Sequence, residues 1–410
     1  MGFSDILVYI IFFIGLYFGV ILLITYLEIK PELEKEKSDV LPKKYPSVTI
    51  IVPCFNEGKT IEKTVESILA LNYPKSALSI FVVNDGSTDN TKEVLKKYEG
   101  HPNIKTFSIE NGGKHNALNF AIEKTHSEIV ACIDADSFVD PQSLRRLIRR
   151  FEDPEITAVT ATIKITKPES YLQHIQKMEY FCTAFLWRTL SAMNAQYVTP
   201  GPFSAYRLEV LKKIGGFRQG HQTEDLEIGL RLLKQGYKIR NAETAYVYTT
   251  VPATFMTLYR QRVRWSYGFL NNMIDYRKLF FNKKVGNLGF ILPITTFLSL
   301  VPVYVAGRMV WSIFDTIGNQ FARYQAVGFY LKPFSLHLDW FFLGNTKIWL
   351  SMIMIVTSIL IIFVSSKLVE GKFKFGRDTI LYLTIYVFIH PIWRVRSLIS
   401  TIFRKQVVWR

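Results

Sequence analysis

An α/β domain with a parallel sheet, tied to a membrane on both sides, is the fold class this sequence predicts. Three observations predict it. Strand-like and helix-like stretches alternate from Pro46 onward, long uncharged apolar runs stand before and after that region, and the composition combines 49% hydrophobic with 20% charged residues. That mixture is too polar for a uniform membrane bundle, and 410 residues leave room for a sizeable core and a second region.

Residues 6–27 carry no charge and can cross a hydrocarbon core of about 30 Å as one helix. A cleaved leader is disfavoured, because no basic start precedes the run and no small-residue cleavage site follows it. Asp5 precedes the run, whereas Lys30, Lys35, Lys37, Lys43 and Lys44 follow it. The positive-inside tendency then puts the amino terminus outside and the next region in the cytoplasm. In that region residues 48–53 read as a strand, 59–71 as a helix, 78–83 as a strand and 90–98 as a helix. Residues 104–107 and 129–133 add strands around a helix near 114–124. This βαβ succession implies a parallel sheet covered on both faces. The glycine-rich dinucleotide fingerprint is absent, which argues against a nicotinamide or flavin domain.

Beyond Asp140 the periodicity loosens. Residues 171–193 put Met178, Phe181, Phe185, Leu186 and Trp187 on a helical period beside Arg188. Such a helix either faces the core or lies in the bilayer interface. Residues 255–281 form a second candidate of this kind. After Lys283 and Lys284, residues 285–305 and 348–366 are long enough to span. The run at 379–393 is shorter, contains Pro391 and ends at Arg394. A full crossing there would put Arg394, Arg396, Arg404, Lys405 and Arg410 outside, so a re-entrant or interfacial segment is expected. The expected organisation is an anchor at 1–28, a cytoplasmic catalytic domain at 46–254, an interfacial helix at 255–284 and a membrane region at 285–410.

Lysine and arginine total 50 against 34 acidic residues, a formal charge of +16. The apolar spans favour a membrane-facing or anionic-substrate surface over a nucleic-acid partner. Cys54, Cys132 and Cys182 show neither metal spacing nor an even disulfide framework, which suits a reducing cytosol.

The chemistry centres on residues 127–140, SEIVACIDADSFVD, where an apolar strand ends in Asp134 and Asp136. Ligands bind at the carboxyl edge of open α/β sheets, and two close carboxylates there repel unless a cation joins them. For the bare pair a solvated turn is the commoner explanation, so context decides. That context is IIVPCFNE (50–57), VVNDGSTDN (82–90), the aspartate pair, TED (223–225) and QRVRW (261–265). In this order they resemble the membrane-embedded family 2 glycosyltransferases, among them hyaluronan, chitin, cellulose and poly-N-acetylglucosamine synthases. GPFSAYR (201–207) is similar, more loosely, to the segment beside the acceptor sugar in that family.

The resemblance implies a GT-A-type (nucleotide-diphospho-sugar transferase) domain with interfacial and transmembrane helices. It would transfer sugar from a UDP-sugar with Mg²⁺ or Mn²⁺. Asp136, and more weakly Asp134, would hold the metal against the diphosphate, with Arg264 and Lys114 adding positive charge. Departures from the family pattern are His115 and Asn116 after Lys114, and Asn84 where an aspartate is usual. Asp85 would face the uracil of the nucleotide, an Asx turn being compatible with this, and Asn56 and Glu57 would complete that wall. A carboxylate must take the acceptor proton, and the resemblance gives that role to Asp225, with Glu224 and Glu227 as near neighbours. Trp265, Gly201 and Pro202 would meet the acceptor. The expected activity is inverting, processive synthesis of a β-linked, N-acetylhexosamine-containing glycan at the plasma membrane, with a second copy as an optional partner. The rival enzyme would add one sugar to a lipid, and a rival from another class is a scaffold with a degenerate domain. The latter conflicts with intact Asp85, Asp136, Asp225 and Arg264.

Overall fold

The computed structural model describes residues 3–36, 41–328, 346–373 and 375–405. Lys37 and Arg410, used above for charge asymmetry, lie outside them. The chain opens with α1 (Phe3–Glu36). It continues through β1 (Val48–Cys54), α2 (Ile61–Leu69), β2 (Leu78–Asp85), α3 (Thr91–Lys96), β3 (Ile104–Ile109), α4 (Lys114–Lys124) and β4 (Ile129–Cys132). Next come β5 (Ser137–Val139), α5 (Ser143–Arg149), β6 (Ile156–Ile165), α6 (Tyr171–Ala192), β7 (Ser204–Arg207), α7 (Leu208–Lys213), α8 (Glu224–Lys234) and β8 (Lys238–Thr249). The described chain closes with α9 (Phe255–Asp275), α10 (Leu288–Val327), α11 (Thr346–Glu370), α12 (Arg377–Leu381), a π-helical turn (Tyr382–Tyr386) and α13 (Val387–Ile402).

The sheet runs β3-β2-β1-β4-β7-β6-β8-β5. Its first four strands are parallel. Strand β7 is antiparallel to both β4 and β6, and β5 is antiparallel to β8, so the sheet is mixed rather than wholly parallel. The sequence reading missed β5 and β7, which are too short for alternation to register, and β6, whose first eight residues are all buried and so show no alternation. Every residue of β1 is buried, as a strand covered on both faces requires. Ile50 and Val52 join Ile61, Val65 and Ile68 of α2 in one core, while Ile51 turns to Leu118 and Ile122 of α4 in the other. That second core also takes in Leu22 of α1 and Leu288, Ile291 and Leu292 of α10, so domain and membrane helices share one apolar interior.

Among the described residues three helices are long and apolar enough to cross a membrane, α1, α10 and α11. Helices α1 and α11 begin together, where Asp5 pairs with Lys347, and Gly15 and Gly19 face Met354 and Thr357 closely enough for backbone-near packing. Ser4 Oγ lies 3.0 Å from the Tyr304 hydroxyl, so α10 reaches that level from the opposite direction. The expected span at 285–305 is therefore only the first half of a helix that runs on to Val327. Helix α6 reconciles its two readings. Phe185 enters the domain core, while Met178 and Phe181 pack with Ile362 and Val369 of α11.

The segment at 379–393 is helical and continues to Ile402, with Pro391 inside α13 and the π turn one turn before it. Its start meets α6, where His174 Nδ1 lies 3.1 Å from Asp378. Its end meets α9, where Asn271 donates to Thr401 Oγ1 at 3.2 Å. Trp393, 1% exposed, packs on Leu258 and Val263 in between. Both ends thus rest on the two amphipathic helices that adjoin the α/β domain.

Candidate active site

Sheet topology decides which loops meet. Strand β1 lies between β2 and β4, so consecutive crossovers leave in opposite directions and open a crevice at the carboxyl edge. Asn56 and Glu57 follow β1, Asp85 ends β2, and Asp134 and Asp136 follow β4. Because β7 runs antiparallel to β4 with Ser204 opposite Cys132, the segment before β7 arrives at the same edge. Gly201 therefore sits against the acidic turn. A Cβ on it would lie 2.6 Å from Lys114 Nζ and 2.8 Å from Asp134 Oδ2.

The nucleotide-side residues hold one another in place. Asn56, with φ of 58°, accepts the Thr88 amide on its side-chain oxygen at 2.8 Å, and its own amide donates to Ser87 Oγ at 2.9 Å. The Glu57 amide donates to Thr91 Oγ1 at 2.9 Å. Asn84 accepts the Ser87 amide, three residues on, at 3.0 Å, which ties down the turn after β2. Asp85 is buried, and its two oxygens accept the Gly112 and Gly113 amides at 2.8 and 2.9 Å. That carboxylate fixes the loop that presents Lys114 at the start of α4, a structural duty the sequence did not reveal.

Lys114 is the hub. Its Nζ lies 2.6 Å from Asp134 Oδ1 and 2.8 Å from Glu224 Oε1, joining the strand-edge turn to the first residue of α8. Burial opposes its charge, but Asp134, Glu224 and Asp225 around it raise its pKa well above the ordinary lysine value. Glu224 is likewise buried, yet Lys114, with Arg264 behind it, holds its pKa below the ordinary glutamate value. Asp225 differs. Burial and the neighbouring Glu224 charge push its pKa up to about 6, and its Oδ1 accepts the Leu226 amide at 2.9 Å. Burial, then Asp134 and Glu57, push Asp136 up to about 7. The Ala135 carbonyl accepts from Thr64 Oγ1 at 2.8 Å, which fixes the acidic turn from below.

Helix α8 is placed by backbone contacts. Thr199 donates from its amide and its hydroxyl to the Asp225 carbonyl, at 3.2 and 2.8 Å. Just before it, Gly220, His221 and Gln222 all have positive φ, of 50°, 53° and 68°. The two non-glycine residues there cost about 1–3 kcal/mol each in strain. Arg264 holds this loop by donating to the Gln222 carbonyl at 2.7 Å, and Asn272 donates to the Gly220 carbonyl at 2.9 Å. Gly268 lets α9 lie directly on Thr223, since a Cβ there would meet Thr223 Oγ1 at 2.4 Å. Trp265 is half-buried, with the Arg262 guanidinium 4.3 Å from its ring centre, and Arg262 in turn donates to Glu179 at 2.7 Å. Glu227 faces away from this group. It pairs with Arg231 at 2.9 Å and accepts the Tyr276 hydroxyl at 2.7 Å, in the wall of a separate cavity of about 470 Å³.

The structure thus unites Asp134, Asp136, Lys114, Gly201, Glu224 and Asp225, with Arg264 bearing on the last two. Pro202 follows Gly201 at the same edge, half-buried. Sequence reasoning missed the Lys114 to Glu224 bridge and the Thr199 clamp. Both join segments far apart in sequence and of ordinary composition, so no local signal announces them. Hard carboxylate oxygens at Asp134 and Asp136 suit a divalent cation, which would offset both the burial that chiefly raises the Asp136 pKa and the added repulsion from Asp134 and Glu57.

A mixed sheet whose carboxyl edge gathers carboxylates and cations, set on amphipathic and membrane helices, is the architecture of a GT-A glycosyltransferase. The mannosyltransferase PcManGT from Pyrobaculum calidifontis, solved with GDP-Man and Mn²⁺, shares the fold with a TM-score of 0.59 and 19% identity, over 96% of this chain and 99% of that one. The family described as Glycosyltransferase like family 2 matches residues 46–268, and the chain belongs to it. Poly-beta-1,6-N-acetyl-D-glucosamine synthase of Staphylococcus aureus (strain COL) is 32% identical over 282 residues, 68% of this chain and 67% of that protein. Its Staphylococcus epidermidis counterpart is 33% identical over 224 residues, 54% of each. The protein is a family 2 glycosyltransferase with three helices able to span a membrane.

Proposed function

We propose that this enzyme extends a β-linked, N-acetylhexosamine-containing glycan from a UDP-sugar at the cytoplasmic face of the plasma membrane. The observation that carries the reading is the convergence of Asp225, Lys114 and the Asp134/Asp136 turn at one sheet edge, beside a helix that bears Arg264 and Trp265. The similarity to the staphylococcal synthases supports the sugar class.

Asp136 and Asp134 would hold Mg²⁺ or Mn²⁺, which when bound supplies Lewis-acid stabilisation of the diphosphate. Lys114 and Arg264 add fixed positive charge on that side. Asn56, Glu57 and Asp85 bound the nucleotide. Asp225 takes the proton of the acceptor hydroxyl as that oxygen bonds to the anomeric carbon. The bond from that carbon to the diphosphate oxygen breaks, UDP leaves with the electron pair, and one displacement inverts the centre. Asp225 suits this duty better than its neighbours. Glu224 is tied to Lys114 and Glu227 to Arg231, whereas a carboxyl with pKa about 6 is ionised at neutral pH and still basic enough to accept a proton. Trp265, Gly201 and Pro202 bound the acceptor.

A specific observation favours a second reading. Three helices able to span, counted among the described residues, are few to line a path for a polar chain, and unmet hydroxyls in hydrocarbon cost roughly 4–8 kcal/mol each. Transfer of one sugar to a lipid would need no channel, and a second copy could widen one. The deciding experiment supplies the full chain in liposomes with a panel of UDP-sugars and Mg²⁺ or Mn²⁺, without added acceptor. Products many sugars long, shortened or lost in Trp265→Ala, are expected. A single sugar found only on an added lipid would overturn the synthase reading.

A further inference from the structure

We propose that the junction of α9, α10 and α13 is a binding surface for anionic phospholipid headgroups. Arg277 and Lys278 lie on the turn that ends α9, Lys283 and Lys284 precede α10, and Arg404 and Lys405 follow α13. All six are exposed. The fold, not the sequence, brings them together. Leu279 is buried in one core with Leu288 and Ile291, the Phe281 amide donates to the Gly289 carbonyl at 2.7 Å, and Asn271 bonds Thr401 at 3.2 Å. Arg277, Lys278, Lys283 and Lys284 therefore flank the start of α10, and the Asn271 to Thr401 contact brings the end of α13, with Arg404 and Lys405, to the last turns of α9. One carboxylate, Asp275, lies at the end of α9 and engages His221 at 2.8 Å, and a single negative charge leaves six cations in large excess.

Between the cations stand exposed aromatic side chains. Phe281 and Phe403 are each 67% exposed and Phe290 is 51% exposed, with the Phe281 and Phe290 rings 6.4 Å apart. Interleaved cations and aromatics at the end of a spanning helix match the two layers of a lipid, a phosphate above and acyl carbons below. A soluble anion would answer the charges and leave the aromatics unexplained, which is why the occupant is a phospholipid. The surface is independent of which glycan the enzyme makes.

The test places the full chain in phosphatidylcholine bilayers with small amounts of spin-labelled phosphatidylglycerol or phosphatidylcholine, and measures the fraction of each label immobilised on the protein. Wild type should prefer phosphatidylglycerol by roughly fivefold or more, the attraction of even one interfacial cation. The reversal variant Lys283→Glu/Lys284→Glu/Arg404→Glu/Lys405→Glu, and the milder Lys283→Gln/Lys284→Gln, should lower that preference, the former to near one. Lys92→Glu/Lys96→Glu on α3 should leave it unchanged. Equal retention of both lipids by wild type would overturn the proposal. So would an unchanged preference in the reversal variant, or removal of the preference by inorganic phosphate at constant ionic strength.

Discussion

At the scale of single residues, the candidate site separates three acidic side chains of one helix by their partners. Asp225 has the raised pKa, with Lys114 and Arg264 only partly offsetting its burial and the Glu224 charge, so Asp225→Asn should keep donor binding and lower turnover by about 10²- to 10⁴-fold. Titration of UDP-sugar binding alongside single-turnover transfer checks both halves. Loss of binding with turnover retained would move Asp225 to the donor side. A base must be deprotonated to act, so transfer should fall as pH drops through about 6 and level off above it. The low-pH limb should vanish in the residual activity of the asparagine variant. Gly201→Ala tests the hub. The added methyl collides with the tips of Lys114 and Asp134, which can swing aside at little cost to folding. The melting temperature should therefore change little while donor affinity and transfer both drop.

Helices α8 and α9 carry the site as elements, and their mutual seating is a matter of packing. Gly268→Ala would drive a methyl into Thr223 and lift α9 from the start of α8. Overpacking of this kind costs typically 1–3 kcal/mol, about the same in thermal unfolding, and here it should also impair transfer by moving Arg264. Glu227 gives the contrasting case, because it serves structure. Its partner Arg231 is buried, so Glu227→Ala leaves an uncompensated charge, worth about 3–5 kcal/mol in an unfolding measurement. Glu227→Ala protein that stays folded should still bind UDP-sugar normally, a result that a role in the donor site would not give.

The whole molecule reads as a catalytic layer seated, among the described residues, on three helices able to span a membrane, with the α12 to α13 segment laid across α6 and α9. Ser4 meets Tyr304, Asp5 meets Lys347, and the α12 to α13 segment begins and ends on α6 and α9. On this arrangement Lys44 and Lys405 share one side of the membrane. Cysteines introduced singly at these positions should react with an impermeant maleimide from the same side of sealed vesicles. Labelling from opposite sides would mean that 379–393 crosses after all. With the catalytic domain on the proposed cytoplasmic side, the same arrangement would put Arg394, Arg396, Arg404 and Lys405 there too, as the charge rule expects.

By itself the sequence determined the class of the domain, the first four strands and the residue types at the sheet edge. These rest on local physics, in that buried β-branched strands, uncharged spans and acidic strand ends are visible within a few residues. Only the tertiary structure decided that the sheet is mixed and that β7 delivers Gly201 to Asp134. It alone showed Lys114 joining Asp134 to Glu224, and Asp85 engaged with the Gly112 and Gly113 amides. The three acidic residues of α8 look alike in sequence, and what separates the proposed base from a bridge and a strut is the partner each one reaches. Arg231 lies within the helix of Glu227, but Lys114, Thr199 and Tyr276 reach Glu224, Asp225 and Glu227 from 26 to 110 positions away, which no local pattern encodes.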